Sequence, residues 1–292
     1  MAALSPRYRQ ILADTGLFYA AAIWGATFFI VKDALGGIDP VAMVAYRFLL
    51  AGVIMLGLVV ITGRSVFKDL KQGAGLALIL WLLYISQTIG LKYTTASNSG
   101  FITGLFVIFV PIIIRTWFRG RPTIMEWLAT IVALGGLGLL TGGLTEINAG
   151  DLLTLAAAVT YALHLLYSDK YIKKGADPLV ISCQQFLIVG LLSLLAMLLF
   201  GLDFRVHTAS AGWITVFLAI FPSLTAFVTQ MWAQKFTPPV KVSLIFAFEP
   251  VFAGVFAWTL GGEPFEMHRG LGGLLVFAAL VISGLPTPGR RK

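Results

Sequence analysis

Three ionisable side chains, Arg47, His164 and Glu249, lie inside long apolar stretches of the sequence. Each needs a partner or an aqueous cavity, because an isolated charge in an apolar interior is costly. Glu249 precedes Pro250 and can accept a proton, bind an ammonium group or pair with a cation. His164 can carry protons near neutral pH or serve as a packing residue. Arg47 can hold two helices together or, like Glu249, take part in coupling or gating.

Polar and aromatic side chains recur at helical spacing around these positions. Tyr161 and Ser168 lie three residues before and four after His164, so the three share one helix face. This pattern predicts a cavity whose aromatic and amide groups suit a zwitterion with an apolar side chain, although ordinary interhelical hydrogen bonds remain the alternative. The candidate substrate-binding residues are Trp24, Thr27, Trp81, Tyr84, Gln87, Thr88, Asn98, Phe101, Tyr161, His164 and Gln230.

The composition is that of an integral membrane protein. Of the 292 residues 58% are hydrophobic and 12% are charged, and the apolar runs lack the alternation of barrel strands. We therefore expect an all-α membrane protein. The net charge of +8 does not indicate nucleic acid binding, because no polar domain is available for a basic face. Metalloprotease, serine hydrolase and ATP-binding motifs are absent from the sequence, so we expect no enzyme activity, no metal and no cofactor.

Charged, glycine and proline clusters divide the chain into ten predicted membrane spans. They cover residues 12–35, 41–62, 73–92, 97–117, 123–142, 150–169, 178–201, 211–233, 238–260 and 268–285.

Lysine and arginine residues are distributed unequally between the loops that these ten spans would create. One side receives Arg7, Arg9, Arg64, Lys68, Lys71, Arg115, Arg119, Arg121, Lys170, Lys173, Lys174, Lys235, Lys241, Arg290, Arg291 and Lys292. The other side receives only Lys32, Lys92, Arg205 and Arg269. The positive-inside rule then places both termini in the cytoplasm.

The two halves of the sequence resemble one another. Asp39-Pro40 and Asp177-Pro178 each open a span, and Gln87 with Lys92 answers Gln230 with Lys235 in the same order. Because each half contains five predicted helices, the second half must enter the membrane from the opposite side. We predict two inverted five-helix repeats, residues 1–145 and 146–292, an architecture typical of alternating-access carriers.

Glycine and proline residues inside the spans predict close helix contacts and kinks. Gly138-x-x-x-Gly142 and the double glycines at 135–136 and 272–273 favour tight packing, with a homodimer contact as the alternative to a monomer. Pro111, Pro222 and Pro250 each remove a backbone hydrogen bond and are expected to kink their helices.

The sequence resembles the drug/metabolite transporter superfamily, specifically its bacterial members with two EamA-type repeats. The resemblance covers nearly the whole chain and is carried by Trp24-Gly25, by the segment 91–98 running into Pro111, and by the segment 248–251 followed by Gly262-Glu263. It implies a ten-helix carrier with a central cavity bordered mainly by helices 1, 3, 4, 6, 8 and 9. Within the superfamily the chain is similar to the YddG-type aromatic amino acid exporters.

The resemblance and the residues together predict a carrier of the bacterial inner membrane that exports amino acids, aromatic or large neutral ones, by alternating access. Exporters of sugars, nucleotides or drug-like compounds are the alternatives, followed by an intramembrane enzyme or a structural protein. Lys241 stands where many members have a small residue; it either contacts an anionic group or extends to the interface. A proton coupled through Glu249 or His164, solute exchange and facilitated diffusion all remain open.

Overall fold

The computed structural model describes residues 5–141, 147–259 and 266–285, and within them the fold is all-helical. The predicted residues Gly142, Gly262, Glu263, Arg290, Arg291 and Lys292 lie outside these ranges. In the first half the helices are α1 (Pro6–Gly25), α2 (Thr27–Ala34), α3 (Pro40–Ile61), α4 (Leu70–Tyr93), α5 (Ala96–Gly104), α6 (Phe106–Thr116) and α7 (Ile124–Thr141). In the second half they are α8 (Ala149–Lys173), α9 (Pro178–Phe200), α10 (Ala209–Leu218), a π-helical segment (Ala219–Phe227), α11 (Val228–Ala233), α12 (Pro239–Phe246), α13 (Glu249–Thr259) and α14 (Met267–Ser283).

Eight helical segments in the described part of the chain are long and apolar enough to cross a membrane. Two shorter apolar helices, Ile124–Leu140 and Met267–Ser283, occupy the predicted fifth and tenth positions. Many large apolar side chains on the outer surface are exposed, as expected for a surface that contacts lipid. The prediction of an all-helical membrane protein is therefore confirmed for the described residues. The first helical segment begins at Pro6, six residues earlier than predicted, because Ser5 caps the helix and proline suits its first turn.

The repeated Asp-Pro pairs have a structural cause. The carboxylate of Asp39 accepts the backbone N–H of Val41 at 2.8 Å at the start of α3, and Asp177 accepts that of Leu179 at 3.0 Å at the start of α9. In both helices proline follows at the first position, where its missing N–H costs no hydrogen bond. The repeat thus marks two equivalent helix starts, and α3 and α9 pack closely against each other.

Three predicted spans are interrupted, and a fourth contains the π-helical segment. The chain breaks its helical run at Ala26, at Leu105 and at 247–248. Pro222 lies within the π-helical segment and Pro250 is the second residue of α13. Pro111, by contrast, lies within the continuous helix α6, and the break in that span precedes it by six residues. Two of the three prolines therefore lie at helix irregularities.

The double glycines permit close packing within one chain. Helix α7 packs against α14. A Cβ atom on Gly136 would lie only 2.8 Å from the backbone oxygen of Gly272, so the helices approach backbone to backbone. This contact is of the kind that small residues allow in membrane proteins.

Contacts between helix ends show which loops lie together. At one end Arg64 after α3 pairs with Asp177 before α9 at 2.8 Å, and Lys170 lies over the ring of Phe118. We call this the basic end, because the predicted arginine-rich and lysine-rich loops meet there. At the opposite end the ammonium group of Lys32 donates to the backbone carbonyl oxygens of Leu91 and Thr94, where α4 ends. The backbone N–H of His207 donates to the backbone carbonyl oxygen of Gly37 at this same end.

Candidate functional site

A central cavity of about 60 Å³ lies between helices of both halves. Ten of the fourteen residues predicted to bind substrate or to serve coupling or gating line it. From the first half these are Trp24, Thr27, Arg47, Tyr84, Gln87 and Thr88. From the second half they are Tyr161, His164, Gln230 and Glu249.

The helix interruptions surround this cavity. Trp24 and Thr27 flank the break at Ala26, Thr103 lies two residues before the break at Leu105, and Glu249 begins α13 after the third break. Phe227 ends the π-helical segment and also lines the cavity. Interrupted helices that border a polar cavity are a recurring feature of transporter binding sites, because the irregular backbone is tolerated where it lines a cavity.

The Trp24-Gly25 pair connects three spans at this site. The indole N–H of Trp24 donates to the carbonyl oxygen of Pro222 at 2.9 Å. Gly25 has no side chain where α1 approaches the backbone of α13, and a Cβ atom there would lie 3.1 Å from the Cβ atom of Phe252. The pair therefore fixes the first span against both the π-helical segment and the helix that begins with Glu249.

Arg47 projects from α3 into the cavity and is held by neutral groups. Its Nε donates to the hydroxyl of Ser223 at 2.6 Å, and one terminal nitrogen donates to the hydroxyl of Tyr84 at 3.4 Å. The guanidinium carbon lies 4.7 Å from the centre of the Tyr84 ring, a cation–π geometry. The side chain is 6% exposed, so the charge is well removed from bulk solvent.

Glu249 faces the cavity from α13 with one long hydrogen bond. The hydroxyl of Tyr161 donates to its Oε1 at 3.4 Å. The Tyr161 ring is stacked on Phe106 with the ring centres 4.4 Å apart and meets Trp24 edge-on at 6.5 Å. The aromatic wall thus positions Tyr161 beside the carboxylate.

Other polar lining residues either bond to a neighbouring side chain or lack a partner among the described residues. His164 Nε2 and Gln185 Oε1 are 2.6 Å apart, and Gln87 donates to the hydroxyl of Thr103 at 3.1 Å. The side-chain nitrogen of Gln230 is buried and has no hydrogen-bond partner among the described residues. An unpaired buried amide next to a cavity is well suited to bind a polar ligand, since it has no bond to lose.

Four predicted residues do not line the cavity. The indole of Trp81 donates to Ser193 on α9 at 3.0 Å, and Phe101 lies near Gly138 of α7. Asn98 is buried in the first turn of α5, where its backbone N–H is capped by Thr95. The ammonium group of Lys241 forms an ion pair with the carboxylate of Asp14 at 2.6 Å, so it contacts an anionic side chain of the protein.

The basic end of the cavity is closed by packing and by a polar network that the sequence analysis missed. The cavity lining extends towards the opposite end, as far as Val31 and Leu91. Closer to the basic end, Ala13, Leu17, Ala20 and Ala21 of α1 are fully buried. There Asp14 also accepts hydrogen bonds from Gln10 and Thr237, at 2.9 and 3.1 Å. A carboxylate near the start of an apolar span was the available signal, but two of its partners, Thr237 and Lys241, follow more than 220 residues later.

Ser223 was also missed, although it holds the guanidinium of Arg47. It is a small hydroxyl next to Pro222 and seven residues before Gln230, in a stretch rich in apolar residues. Its role depends on the π-helical geometry of residues 219–227, and no local sequence pattern predicts that geometry.

Comparisons with known proteins agree along nearly the whole chain. A sequence profile described as the EamA-like transporter family matches residues 11–142 and 148–285. An uncharacterized transporter of Archaeoglobus fulgidus is 28% identical over 277 residues, which are 95% of this chain and 87% of the relative. The uncharacterized inner membrane transporter YedA of Escherichia coli K12 is 24% identical over 95% of this chain and 92% of its own length.

Two further matches extend the similarity. The uncharacterized transporter YyaM of Bacillus subtilis is 26% identical over 89% of this chain and 90% of its own length. One solved crystal structure superimposes with a TM-score of 0.78 at 19% identity, covering 93% of this chain and 96% of that one, and so has the same fold.

Proposed function

The chain belongs to the EamA-like transporter family, and we propose that it is a carrier that exports amino acids, aromatic or large neutral ones, by alternating access. Membrane transport is the function that its relatives' names indicate. The substrate class, the direction and the mechanism are our proposals and rest on the cavity.

The proposed architecture is ten membrane spans in two inverted units, residues 1–145 and 146–292. The two separate profile matches, 11–142 and 148–285, support this division. Helix α3 packs on its proposed counterpart α9, and α7 packs on its counterpart α14, as expected about a two-fold axis between the units. The breaks at Leu105 and at 247–248 occupy equivalent places in the fourth and ninth spans.

Alternating access requires a site that both units share and that can be closed at either end. The cavity meets the first requirement, since lining residues come from α1, α2, α3 and α4 in one unit and from α8, α11 and α13 in the other. Its basic end is closed by packed alanine and leucine side chains of α1. Rocking of one unit against the other would open that end.

The observation that carries the substrate proposal is the mixed lining of this cavity. Aromatic rings lie beside one cation, one carboxylate and several amide and hydroxyl groups. An amino acid has a complementary set of groups: one charge of each sign and an apolar or aromatic side chain. Sugar phosphates and nucleotides fit less well, because Arg47 is the single lysine or arginine in the described lining and a phosphate group carries more negative charge.

We place the carrier in the inner membrane with both termini in the cytoplasm. The matched protein of Escherichia coli is named an inner membrane transporter. The meeting of the arginine-rich and lysine-rich loops at one end supports the orientation by the positive-inside rule.

Purified protein in liposomes tests the proposal with a panel of labelled amino acids, sugars and nucleotides, each with and without a pH gradient. We expect saturable, stereoselective uptake of large neutral amino acids, and the gradient separates proton coupling from exchange or facilitated diffusion. Gln87→Leu and Tyr84→Phe should raise KM, while Ser86→Ala on the same helix serves as the control, because the hydroxyl of Ser86 donates to carbonyl oxygens of its own helix and does not line the cavity as described. Uptake of sugars or nucleotides without any uptake of amino acids would contradict the proposal.

A further inference from the structure

Arg47 and Glu249 bring opposite charges into one cavity from different halves of the chain. Each residue is 6% exposed, and neither has an oppositely charged side chain within 4.0 Å among the described residues. A buried charge without a counter-charge is costly in the membrane interior. A ligand that carries both signs would supply a counter-charge to each.

The Arg47 side of the cavity is organised to bind a planar anion. A guanidinium has five N–H donors, and only two of those of Arg47 are used by Ser223 and Tyr84. These two bonds and the face of the Tyr84 ring fix the plane of the guanidinium. Its remaining donors can form the paired hydrogen bonds that arginine makes with carboxylates.

The Glu249 side is organised to bind a cation. Only one of its carboxylate oxygen atoms accepts a hydrogen bond from a described residue, and that bond to Tyr161 is long at 3.4 Å. The neighbouring rings of Tyr161 and Trp24 add aromatic surfaces that attract a positive charge. An ammonium group has three donors, which this carboxylate can accept.

The same lining supplies a further donor without a partner among the described residues and an apolar wall. The buried amide nitrogen of Gln230 has no partner in the described part of the chain. Phe28 and Phe227 offer aromatic surface in the same cavity. A ligand with an apolar side chain can pack there while its charged ends bind the two poles.

We infer that Arg47 binds the carboxylate and Glu249 the ammonium group of one amino acid, so that the two halves of the chain each hold one end of the substrate. This assignment rests on the proposed function and deepens it. With this assignment the bound substrate connects the two halves. Arg47 then selects for the carboxylate of the substrate, and Glu249 selects for its ammonium group. A compound with only one charged end has a partner at one pole only.

Three related probes separate the poles in binding measurements on purified full-length protein: L-phenylalanine, 3-phenylpropionate without the ammonium group, and 2-phenylethylamine without the carboxylate. Arg47→Gln should weaken L-phenylalanine binding about tenfold or more and leave 2-phenylethylamine unchanged. Glu249→Gln should weaken L-phenylalanine binding similarly and leave 3-phenylpropionate unchanged. Lys173→Gln and Glu126→Gln each remove a charge of the corresponding sign outside the cavity and should change none of the three.

The outcomes distinguish this assignment from the proposed function. If the wild-type protein binds L-phenylalanine but each variant affects all three probes equally or not at all, the pole assignment is wrong and the amino acid carrier stands. If the wild-type protein binds no amino acid, both are wrong. Should a glutamine variant not fold, Arg47→Lys and Glu249→Asp carry the same comparison. Arg47→Lys should weaken binding of the two probes with a carboxylate and leave 2-phenylethylamine unchanged, and Glu249→Asp should weaken binding of the two probes with an ammonium group and leave 3-phenylpropionate unchanged.

Discussion

The ion pair between Asp14 and Lys241 is expected to hold the basic end of the cavity closed. The two residues lie on α1 and α12, in different halves of the chain, and their charged atoms are 2.6 Å apart. Asp14→Asn and Lys241→Gln should therefore favour opening at that end. The other contacts of Asp14, with Gln10 and Thr237, make it the centre of the network.

The free energy that this network contributes to closure depends on how far its side chains are exposed to solvent. The side chains of Lys241 and Asp14 are 35% and 22% exposed, so the pair alone contributes about 0.2–1 kcal/mol. The hydrogen bonds that Asp14 accepts from the uncharged side chains of Gln10 and Thr237 add about 0.5–1.5 kcal/mol each at this exposure, and asparagine retains part of them. A total of about 1–2 kcal/mol changes the ratio of closed to open protein by a factor of about 5–30.

A single reporter cysteine measures this ratio. In a Cys183→Ser background, which removes the sole native cysteine, Ala20→Cys places a thiol at a fully buried position of α1. Its labelling by a membrane-impermeant maleimide from the basic face should become about 5–30 times faster in Asp14→Asn. Lys173→Gln is the matched control, since Lys173 pairs with Asp169 within one helix.

Two results would refute this reasoning. One is an unchanged labelling rate in both Asp14→Asn and Lys241→Gln. The other is an equal acceleration in the Lys173→Gln control, because a pair within one helix cannot hold two halves together. Restored slow labelling in the charge-exchanged protein Asp14→Lys with Lys241→Asp would strengthen the account.

Three further comparisons test the helix packing and the extent of the site. Gly136→Ala should destabilise the protein by about 1–3 kcal/mol in denaturant unfolding, whereas Gly135→Ala should not, because a Cβ atom at Gly135 meets nothing within 4 Å. Trp81→Phe should cost about 0.5–1.5 kcal/mol of stability and leave KM unchanged, since its indole bonds away from the cavity. His164→Leu and Gln185→Leu should each cost about 1–3 kcal/mol, and the double variant less than their sum, because each single change leaves a buried group unpaired.

The sequence predicted the helical segments well because long apolar runs leave few alternatives. Each of the ten predicted spans overlaps a helical segment, and the predicted family is confirmed by the profile match. The helix starts at Pro40 and Pro178 were predicted within a residue, since Asp-Pro is a local capping signal. Local chemistry therefore accounts for the elements and most of their boundaries.

The breaks inside the spans were harder to predict because they depend on tertiary contacts. Neither Ala26 nor Leu105 is a residue that ends helices by itself. The interruption at Ala26 lies where Gly25 meets α13, a helix more than 200 residues later in the chain. Pro111 lies inside the continuous helix α6, so proline content alone does not locate the break at Leu105.

The cavity residues were partly predictable from helix phase. Tyr84, Gln87 and Thr88 share a face of α4, and all three line the cavity. Trp81 precedes Tyr84 by one turn, yet its long indole reaches α9, which packs on another side of α4. The role of Asp14 was not predicted, because its partner Lys241 is distant in sequence and no periodicity connects the two residues.

The central claim is that the two halves enclose one amino acid site that opens to either face. Counterflow in proteoliposomes tests it most directly: vesicles loaded with unlabelled L-phenylalanine are given a trace of labelled L-phenylalanine outside. We expect a transient accumulation of label above equilibrium that is lost in Arg47→Gln and Glu249→Gln and that does not occur when the vesicles are loaded with D-phenylalanine instead. Uptake that rises linearly with concentration, without overshoot and equally for both enantiomers, would contradict it.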